Sequence, residues 1–336
     1  MSDPTQVRPT DRRDQRATAP GPDVAELAQA LSRAVSTVVA GKDQQVRTAV
    51  TVLLAGGHLL VEDVPGVGKT MLAKALAAAM DTAVRRVQFT PDLLPSDITG
   101  VSVFNQETRT FEFRPGAVFA NVVIGDEINR ASPKTQSALL EAMEEGQVTA
   151  DGTTRALPRP FMVIATQNPI EMEGTYPLPE AQRDRFMARL SMGYPTADAE
   201  VTMLSSHGEH RPLRDLRPVT DAGTVEHAIE AIRHLHAGEA VQRYVVELVR
   251  GTRASTALRL GASPRAGLHL LRAARARAAV EGRDHVLPDD VQALAVPVLA
   301  HRVLPAAGGA GDAAEIIDHV VRQVPVLGVA GSRSGR

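Results

Sequence analysis

The segment DVPGVGKT at residues 63–70 constrains the fold more than any other part of the chain. It follows a short apolar run, residues 58–62, and precedes an Ala- and Leu-rich stretch, residues 71–80, with the composition of a helix. A strand, a glycine-containing turn and a helix in this order open a parallel α/β unit. The segment also matches the phosphate-binding pattern G-x-x-x-x-G-K-[ST], except that Asp63 replaces the first glycine.

This turn has the residue types that a phosphate site needs. Gly66 and Gly68 allow successive backbone amides to point inward and form an anion-binding nest. The helix that follows presents its positive end to the same phosphates. Lys69 is expected to contact the β- and γ-phosphates, and the Thr70 hydroxyl to bind Mg²⁺. The segment therefore predicts nucleotide binding.

Two adjacent carboxylates follow a second apolar strand, residues 121–125. Asp126 suits Mg²⁺ ligation, directly or through water. Glu127 suits polarising the water that attacks a γ-phosphate. Because ligands bind at the carboxyl ends of parallel strands, we expect both side chains beside the phosphate-binding turn.

A third apolar strand, residues 161–165, precedes Thr166 and Asn168. Asn168 is expected to hold the attacking water by hydrogen bonds, and Thr166 is a lesser candidate. A simple turn asparagine before Pro169 is the alternative interpretation.

Composition excludes several classes of protein. Lys and Arg number 37 against 39 Asp and Glu, and aromatic residues make up 3 %, without Trp. This balance argues against nucleic-acid binding through a basic surface or stacked bases. The absence of Cys excludes disulfides and thiolate chemistry. No apolar run is long enough to insert in a membrane, and the first residues lack a secretory pattern, so we expect a cytoplasmic protein.

The pattern changes near Pro195, after which strand signals fade and helical patterns dominate. The predicted organisation is a disordered tail at 1–21, an α/β core at 22–194, a helical domain at 195–327 and a flexible tail at 328–336.

Further motifs carry a resemblance to a known family. They are DEINRA at 126–131, LLEAMEE at 139–145, ATQNP at 165–169, EAQRDRF at 180–186 and GASPR at 261–265. With the phosphate-binding turn, their order and spacing resemble the MoxR branch of the AAA+ ATPases. The resemblance implies an AAA+ P-loop core with a parallel five-stranded sheet and a C-terminal all-helical lid domain. ATP is then expected between core and lid, together with Mg²⁺.

The resemblance also implies roles for individual residues. Asn168 matches sensor 1, and Arg185 matches the arginine finger that reaches a neighbouring subunit's nucleotide. Arg130 and Arg183 are rivals for the finger that the sequence does not separate. Arg265 matches sensor 2, which contacts the γ-phosphate from the lid. The stretch 39–41, which ends at Gly41, matches the backbone that lies against the adenine. The residues expected to line the nucleotide are Gly41, Pro65, Gly66, Val67, Gly68, Lys69, Thr70, Met71 and Arg265.

Two segments, 104–113 and 148–158, combine alternating apolar residues with polar turns, which predicts β-hairpins. In related rings such hairpins line the pore or contact the substrate, whereas plain surface structure is the alternative.

The resemblance implies an ATP-hydrolysing ring, expected to be a hexamer. Its implied function is chaperone-like remodelling of client protein complexes, often with a partner that carries a von Willebrand factor A domain. A metal-chelatase subunit, a DNA-remodelling motor and a nucleotide-gated scaffold are the alternatives. The near-neutral charge and the scarcity of aromatic residues argue against the DNA-remodelling motor.

Overall fold

The computed structural model describes residues 23–64, 66–168, 175–194, 197, 200–201, 212–306 and 312–326. The two predicted tails, Pro65 and Pro169 lie outside these residues.

Strands occupy both the centre of the core and its periphery. In chain order they are β1 (Leu59–Glu62), β2 (Val84–Gln88), β3 (Gly100–Asn105), β4 (Thr110–Pro115), β5 (Val122–Asp126), β6 (Gln147–Ala150), β7 (Thr153–Ala156), β8 (Met162–Gln167), β9 (Ala188–Leu190), β10 (Leu258–Leu260) and β11 (Leu304–Pro305).

Helices precede, follow and alternate with these strands. In chain order they are α1 (Val24–Ser36), α2 (Asp43–Leu54), α3 (Lys69–Ala79), α4 (Pro95–Thr99), α5 (Pro133–Glu145), α6 (Glu180–Arg183), α7 (Pro212–Asp215), α8 (Ala222–Arg233), α9 (Glu239–Ala254), α10 (Pro264–Val280), α11 (Pro288–Leu299) and α12 (Ala313–Gln323). Short 3₁₀ helices cover Ile128–Arg130 and Ala300–Arg302.

Five parallel strands form the central sheet in the order β2-β5-β8-β1-β9, which confirms the predicted fold. The three inner strands are covered on both faces, so they have the continuous apolar runs that the sequence reveals. The edge strand β2 was not predicted because its sequence, VRRVQ, has no apolar run, and only Val87 in it is buried.

Local signals set where the helices begin. The Asp23 carboxylate accepts hydrogen bonds from the amides of Ala25 (2.9 Å) and Glu26 (3.2 Å) and caps α1. The Ser132 hydroxyl caps α5 in the same way, with Pro133 in the first helical position.

Two apolar clusters cover the two faces of the sheet. One face packs against α1–α3, and this cluster continues into the C-terminal helices, where Tyr244 and Leu270 are fully buried. The other face packs around Phe89, Leu139 and Phe186. The C-terminal region therefore shares a core with the first three helices.

The C-terminal region is helical, as expected, with one short antiparallel ribbon of β10 and β11 that the sequence did not predict. Both predicted hairpins are present: β3 pairs with β4 and β6 with β7. Across the described residues, no helix is both long and apolar enough to cross a bilayer.

Candidate nucleotide site

The phosphate-binding turn has the backbone conformation that an anion nest requires. Gly66 and Gly68 have φ angles of 85° and 95°. A Cβ atom added at either glycine would meet no other atom within 4 Å. Positive φ, rather than crowding, therefore favours glycine here. Val67 between them is buried in the core, which leaves its backbone amide as the group available to a phosphate.

Lys69 is the first residue of α3, followed by Thr70 and Met71 in the same turn. Its Nζ donates a hydrogen bond to the backbone carbonyl of Asp63 (2.7 Å), which closes the turn. Partial burial lowers the pKa of Lys69, although the carboxylates of Asp63, Asp126 and Glu127 oppose this shift. An anion bound in the turn would add to that opposition.

Asp63, the departure from the phosphate-binding pattern, has a structural reason. Its carboxylate accepts hydrogen bonds from the Gly193 amide (2.7 Å), the Ser191 hydroxyl (3.0 Å) and the Val64 amide (3.0 Å). Burial raises the pKa of Asp63, but these hydrogen bonds outweigh it and lower the pKa overall. The side chain thus fastens the turn to the segment after β9, which a glycine could not do.

Gly41, predicted to lie against the adenine, belongs to a turn beside the same segment. It has a φ angle of 71°. The Nζ of the next residue, Lys42, donates to the carbonyls of Gly193 (3.2 Å) and Tyr194 (2.8 Å). Because the Gly193 amide binds Asp63, the Gly41 turn and the phosphate-binding turn flank one segment. The contact of Gly41 with adenine stays a prediction.

Asp126 lies at the carboxyl end of β5 with 8 % of its side chain exposed. It accepts hydrogen bonds from the Arg86 guanidinium and from the Thr166 hydroxyl (3.2 Å). Its carboxylate and the Thr70 hydroxyl are hard oxygen donors of the kind that Mg²⁺ prefers, and Mg²⁺ usually takes only one or two such ligands besides phosphate and water. The residues present therefore fit the metal.

Glu127 has left-handed backbone geometry, with a φ angle of 56°. Its amide donates to the Thr166 hydroxyl (3.0 Å). Its Oε2 accepts hydrogen bonds from Gln88 Nε2 (2.7 Å) and Arg130 Nη1 (3.1 Å). Two donors from different elements therefore fix the direction of this carboxylate.

Asn168 follows β8 and is buried. In the sheet register Gly125 is opposite Ala165, and Glu62 is opposite Gln167. Strands β5, β8 and β1 therefore end side by side. Residues 63–64 and 66–71, Asp126, Glu127 and Asn168 meet at this end of the sheet, which we term the carboxyl edge.

Arg185 and Arg265 lie elsewhere. Arg185 Nε donates to Glu144 Oε2 (3.0 Å), and Arg265 Nη2 donates to Oε1 of the same carboxylate. The backbone carbonyl of Met143, the residue before Glu144, lies 3.1 Å from Nε2 of His58. His58 is the residue before β1. The two arginines, Glu144 and His58 therefore lie at the opposite end of the sheet, which we term the amino edge.

This placement bears on one prediction. ATP is expected between core and lid, with Arg265 from the lid on a γ-phosphate. The phosphate-binding turn follows the last residue of β1, whereas Arg265 lies near the residue that precedes β1. The whole length of the strand separates them, so Arg265 does not face the phosphate-binding turn of its own chain.

The amino edge contains a cavity of about 350 Å³ with an excess of positive charge. The charged side chains that line it are Arg159, Arg185, Arg233, Arg265, Arg272, Glu144, Glu145 and Glu226. Of the rival finger residues, Arg130 instead binds Glu127 at the carboxyl edge, and Arg183 does not line the cavity. Arg185 is thus the one of these three arginines that lines the cavity, and its role as arginine finger stays a prediction.

Sequence reasoning missed three residues that contact the candidate site. Arg86 and Gln88 lie on the unpredicted strand β2, so nothing indicated that they face the carboxylates. Glu144 carried a usable signal: with Glu145 it ends a helix whose last turn has no basic residue. That placement opposes the helix dipole and suggests partners from elsewhere.

Comparisons with known proteins agree with this architecture. Residues 58–188 match the model of the ATPase family associated with various cellular activities (AAA), and residues 250–320 match the AAA lid domain. A crystal structure of a candidate ATPase from Cytophaga hutchinsonii superposes with a TM-score of 0.83 at 36 % identity, covering 90 % of this chain and 97 % of that one.

Relatives of known sequence narrow the family. The uncharacterised protein YeaC of Bacillus subtilis is 50 % identical over 80 % of this chain and 84 % of its own. Chaperone MoxR1 of Mycobacterium tuberculosis is 42 % identical over 80 % of this chain and 74 % of its own. Protein MoxR of Methylorubrum extorquens is 33 % identical over 84 % of this chain and 88 % of its own. The parallel five-stranded sheet and the helical C-terminal region agree with these matches. The chain therefore belongs to the MoxR family of AAA+ ATPases.

Proposed function

We propose that this protein hydrolyses ATP to ADP and phosphate at the carboxyl edge, with Mg²⁺ as cofactor. The observation that carries the proposal is the register of β1, β5 and β8, which brings Lys69, Thr70, Asp126, Glu127 and Asn168 to one end of the sheet. These residues match in type the parts that phosphoryl transfer to water requires.

Each residue has a defined task in this reaction. The amides of the turn and Lys69 hold the phosphates. Thr70 and Asp126 hold Mg²⁺, which when bound neutralises charge on the phosphate oxygens. Glu127 accepts the proton of the attacking water, and Asn168 orients that water in line with the bond that breaks.

The arginines complete the site from a neighbouring subunit. Because Arg185 and Arg265 lie at the amino edge, we propose that they act on the nucleotide of the next subunit rather than on that of their own chain. A head-to-tail interface, in which the amino edge of one subunit meets the carboxyl edge of the next, closes into a ring. The resemblance to AAA+ ATPases supports a ring, with a hexamer as the proposed size.

We further propose that turnover drives remodelling of client protein complexes, with a von Willebrand factor A domain protein as partner. The relative named Chaperone MoxR1 supports a chaperone role. The hairpin β3–β4 supports contact with a protein, because Phe104 and Phe111 on it are exposed and pack edge to face at 5.3 Å.

Calorimetry and turnover together test the proposed hydrolysis. Glu127→Gln keeps the size of the side chain but removes the base. This variant should bind Mg-ATP like the wild type, and its turnover should fall by about 10²–10⁴-fold. Lys69→Ala should lose ATP binding itself. Equal turnover by Glu127→Gln and wild type would remove Glu127 from the proposed mechanism.

The partner is tested with the same Glu127→Gln variant held in its ATP state. It should bind a purified von Willebrand factor A domain protein of the same organism, in ATP but not in ADP. Failure to bind, together with turnover stimulated several-fold by DNA, would favour the DNA-motor alternative.

A further inference from the structure

Helix α5 ends in an arrangement that is unfavourable for the helix alone. Glu144 and Glu145 occupy its last turn, where the helix dipole is negative and where cations are preferred. An acid in that turn destabilises the helix, because its charge has the same sign as that end of the dipole. The partners that offset this cost at Glu144 come from distant parts of the chain: Arg185 after α6 and Arg265 at the start of α10.

The Glu144 carboxylate binds the two arginines with its two oxygens, one each. Two guanidinium groups that share one carboxylate are close enough to repel each other once its charge is removed. The surrounding cavity supplies more positive charge, from Arg233 and Arg272 among others. Glu144 is therefore the counter-ion that allows both arginines to face the same point.

The backbone beside both arginines is fixed independently of Glu144. The Asp184 carboxylate accepts a hydrogen bond from the Ser263 hydroxyl (2.8 Å), which joins the residue before Arg185 to the cap of α10. The other carboxylate oxygen of Asp184 lies 2.8 Å from Nε of Arg302, which is 1 % exposed. Asp184 thus anchors the backbone beside Arg185 and Arg265, whereas Glu144 sets the direction of their two side chains.

We propose that Glu144 is a positioning residue that holds Arg185 and Arg265 together as one anion-binding unit for the neighbouring subunit's nucleotide. The proposal rests on the proposed function, in which these arginines act on a neighbour. Glu144 does not touch ATP in this arrangement. Without its charge the two guanidiniums separate and turn toward other acids of the cavity, such as Glu145 and Glu226, and the neighbour's triphosphate loses its paired contact.

Mixed assemblies of two inactive variants provide the test. Lys69→Ala removes the nucleotide from a subunit but keeps its arginines, so it serves as the arginine donor. Arg185→Ala keeps the nucleotide but lacks the finger, so it serves as the receiver. Each alone should be nearly inactive, and an equimolar mixture should recover phosphate release at donor–receiver interfaces.

Glu144→Gln is then placed in one partner at a time. In the donor it should lower the recovered rate by about 10- to 100-fold, the scale of a misplaced catalytic group. In the receiver, whose arginines are not used, the recovered rate should stay within about twofold. Glu145→Gln in the donor is the matched control and should also stay within twofold. ATP affinity of the Glu144→Gln single variant, measured by calorimetry, should equal that of the wild type.

The outcomes separate the two claims. If the parent variants do not complement each other, the shared site of the proposed function is wrong. If they do, and Glu144→Gln in the donor leaves the rate unchanged or raises it, the positioning role of Glu144 is wrong. Equal losses from donor and receiver would indicate damage to the fold and would also overturn it.

Discussion

The two edges of the central sheet carry opposite chemistry. The carboxyl edge carries Lys69 and the carboxylates of Asp63, Asp126 and Glu127, with Arg86 and Arg130 bound to the last two, whereas the amino edge has a cavity lined by five arginines and three glutamates. In the proposed reaction the carboxyl edge supplies the nucleotide cradle and the base, and the amino edge supplies Arg185 and Arg265 to a neighbour. On this proposal the difference teaches that each chain carries two halves of a site, at opposite ends of its sheet.

The largest expected effect is that an amino-edge variant loses turnover but keeps its affinity for ATP, which binds at the carboxyl edge. Arg185→Ala should lower turnover about 10³-fold or more, as loss of an arginine finger does in other systems, while the dissociation constant for ATP changes less than about twofold. Arg183→Ala, its neighbour outside the cavity, should keep near-normal turnover. Steady-state phosphate release and calorimetry measure both. Weakened ATP binding by Arg185→Ala would place this arginine in the cradle of its own chain.

A pH titration probes the packing of the amino edge. His58 accepts a hydrogen bond from the Val163 amide (3.1 Å) and lies 3.1 Å from the Met143 carbonyl, which fits a neutral ring with its proton on Nε2. Burial lowers the pKa of His58 to about 4, from 6.5. The unfolded chain therefore binds the extra proton first, and stability present above pH 6.5 is lost as the pH falls toward 4.

This loss should be about 1.4 kcal/mol per pH unit, amounting to about 3 kcal/mol by pH 4. Urea unfolding at pH 7, 6 and 5 measures it against His58→Gln, which is less stable at neutral pH but should show a flatter dependence. Parallel pH profiles for the two proteins would mean that His58 is not a buried neutral group.

At the carboxyl edge a smaller effect is expected from Gln88. Its amide donates to Glu127 (2.7 Å) together with Arg130, so Gln88→Ala should leave the carboxylate less well oriented. We expect turnover to fall by about tenfold, a part of what a positioned base contributes, with ATP affinity unchanged. An unchanged turnover would show that Arg130 alone orients Glu127.

The smallest effect is expected outside both edges. Phe111 on β4 is 73 % exposed and its ring packs on Phe104 of the opposite strand, so Phe111→Ser should lower the free energy of unfolding by at most about 1 kcal/mol, the scale of one cross-strand pair. Basal turnover should also stay within about twofold. A large loss of either would mean that the hairpin supports one of the edges rather than standing apart from them.

The carboxyl edge was predictable because its residues form short contiguous motifs at strand ends. The glycine turn after β1 indicates phosphate binding, and the paired acids after β5 indicate a metal ligand and a base. Because neighbouring parallel strands end at the same edge of a sheet, these residues were expected to lie together. The role of Asp63 was not predictable, because its partners Ser191 and Gly193 lie about 130 residues away. Strand β2 was hidden for a different reason: an exposed edge strand needs no apolar run.

The amino edge was hardly predictable. Arg185 and Arg265 were identified by family resemblance alone, and their roles as arginine finger and sensor 2 stay predictions. Their meeting on Glu144 depends on how α5, the segment after α6 and α10 pack, which no local pattern encodes. The paired acids at the end of α5 were the one local sign of it.

Turnover per subunit, measured across a range of protein concentrations together with the extent of assembly, tests the shared site most directly. The account predicts that dilute single subunits bind ATP yet release almost no phosphate, and that turnover rises by about 10³-fold or more as subunits associate. A specific activity that stays constant from dissociated to assembled protein would contradict it.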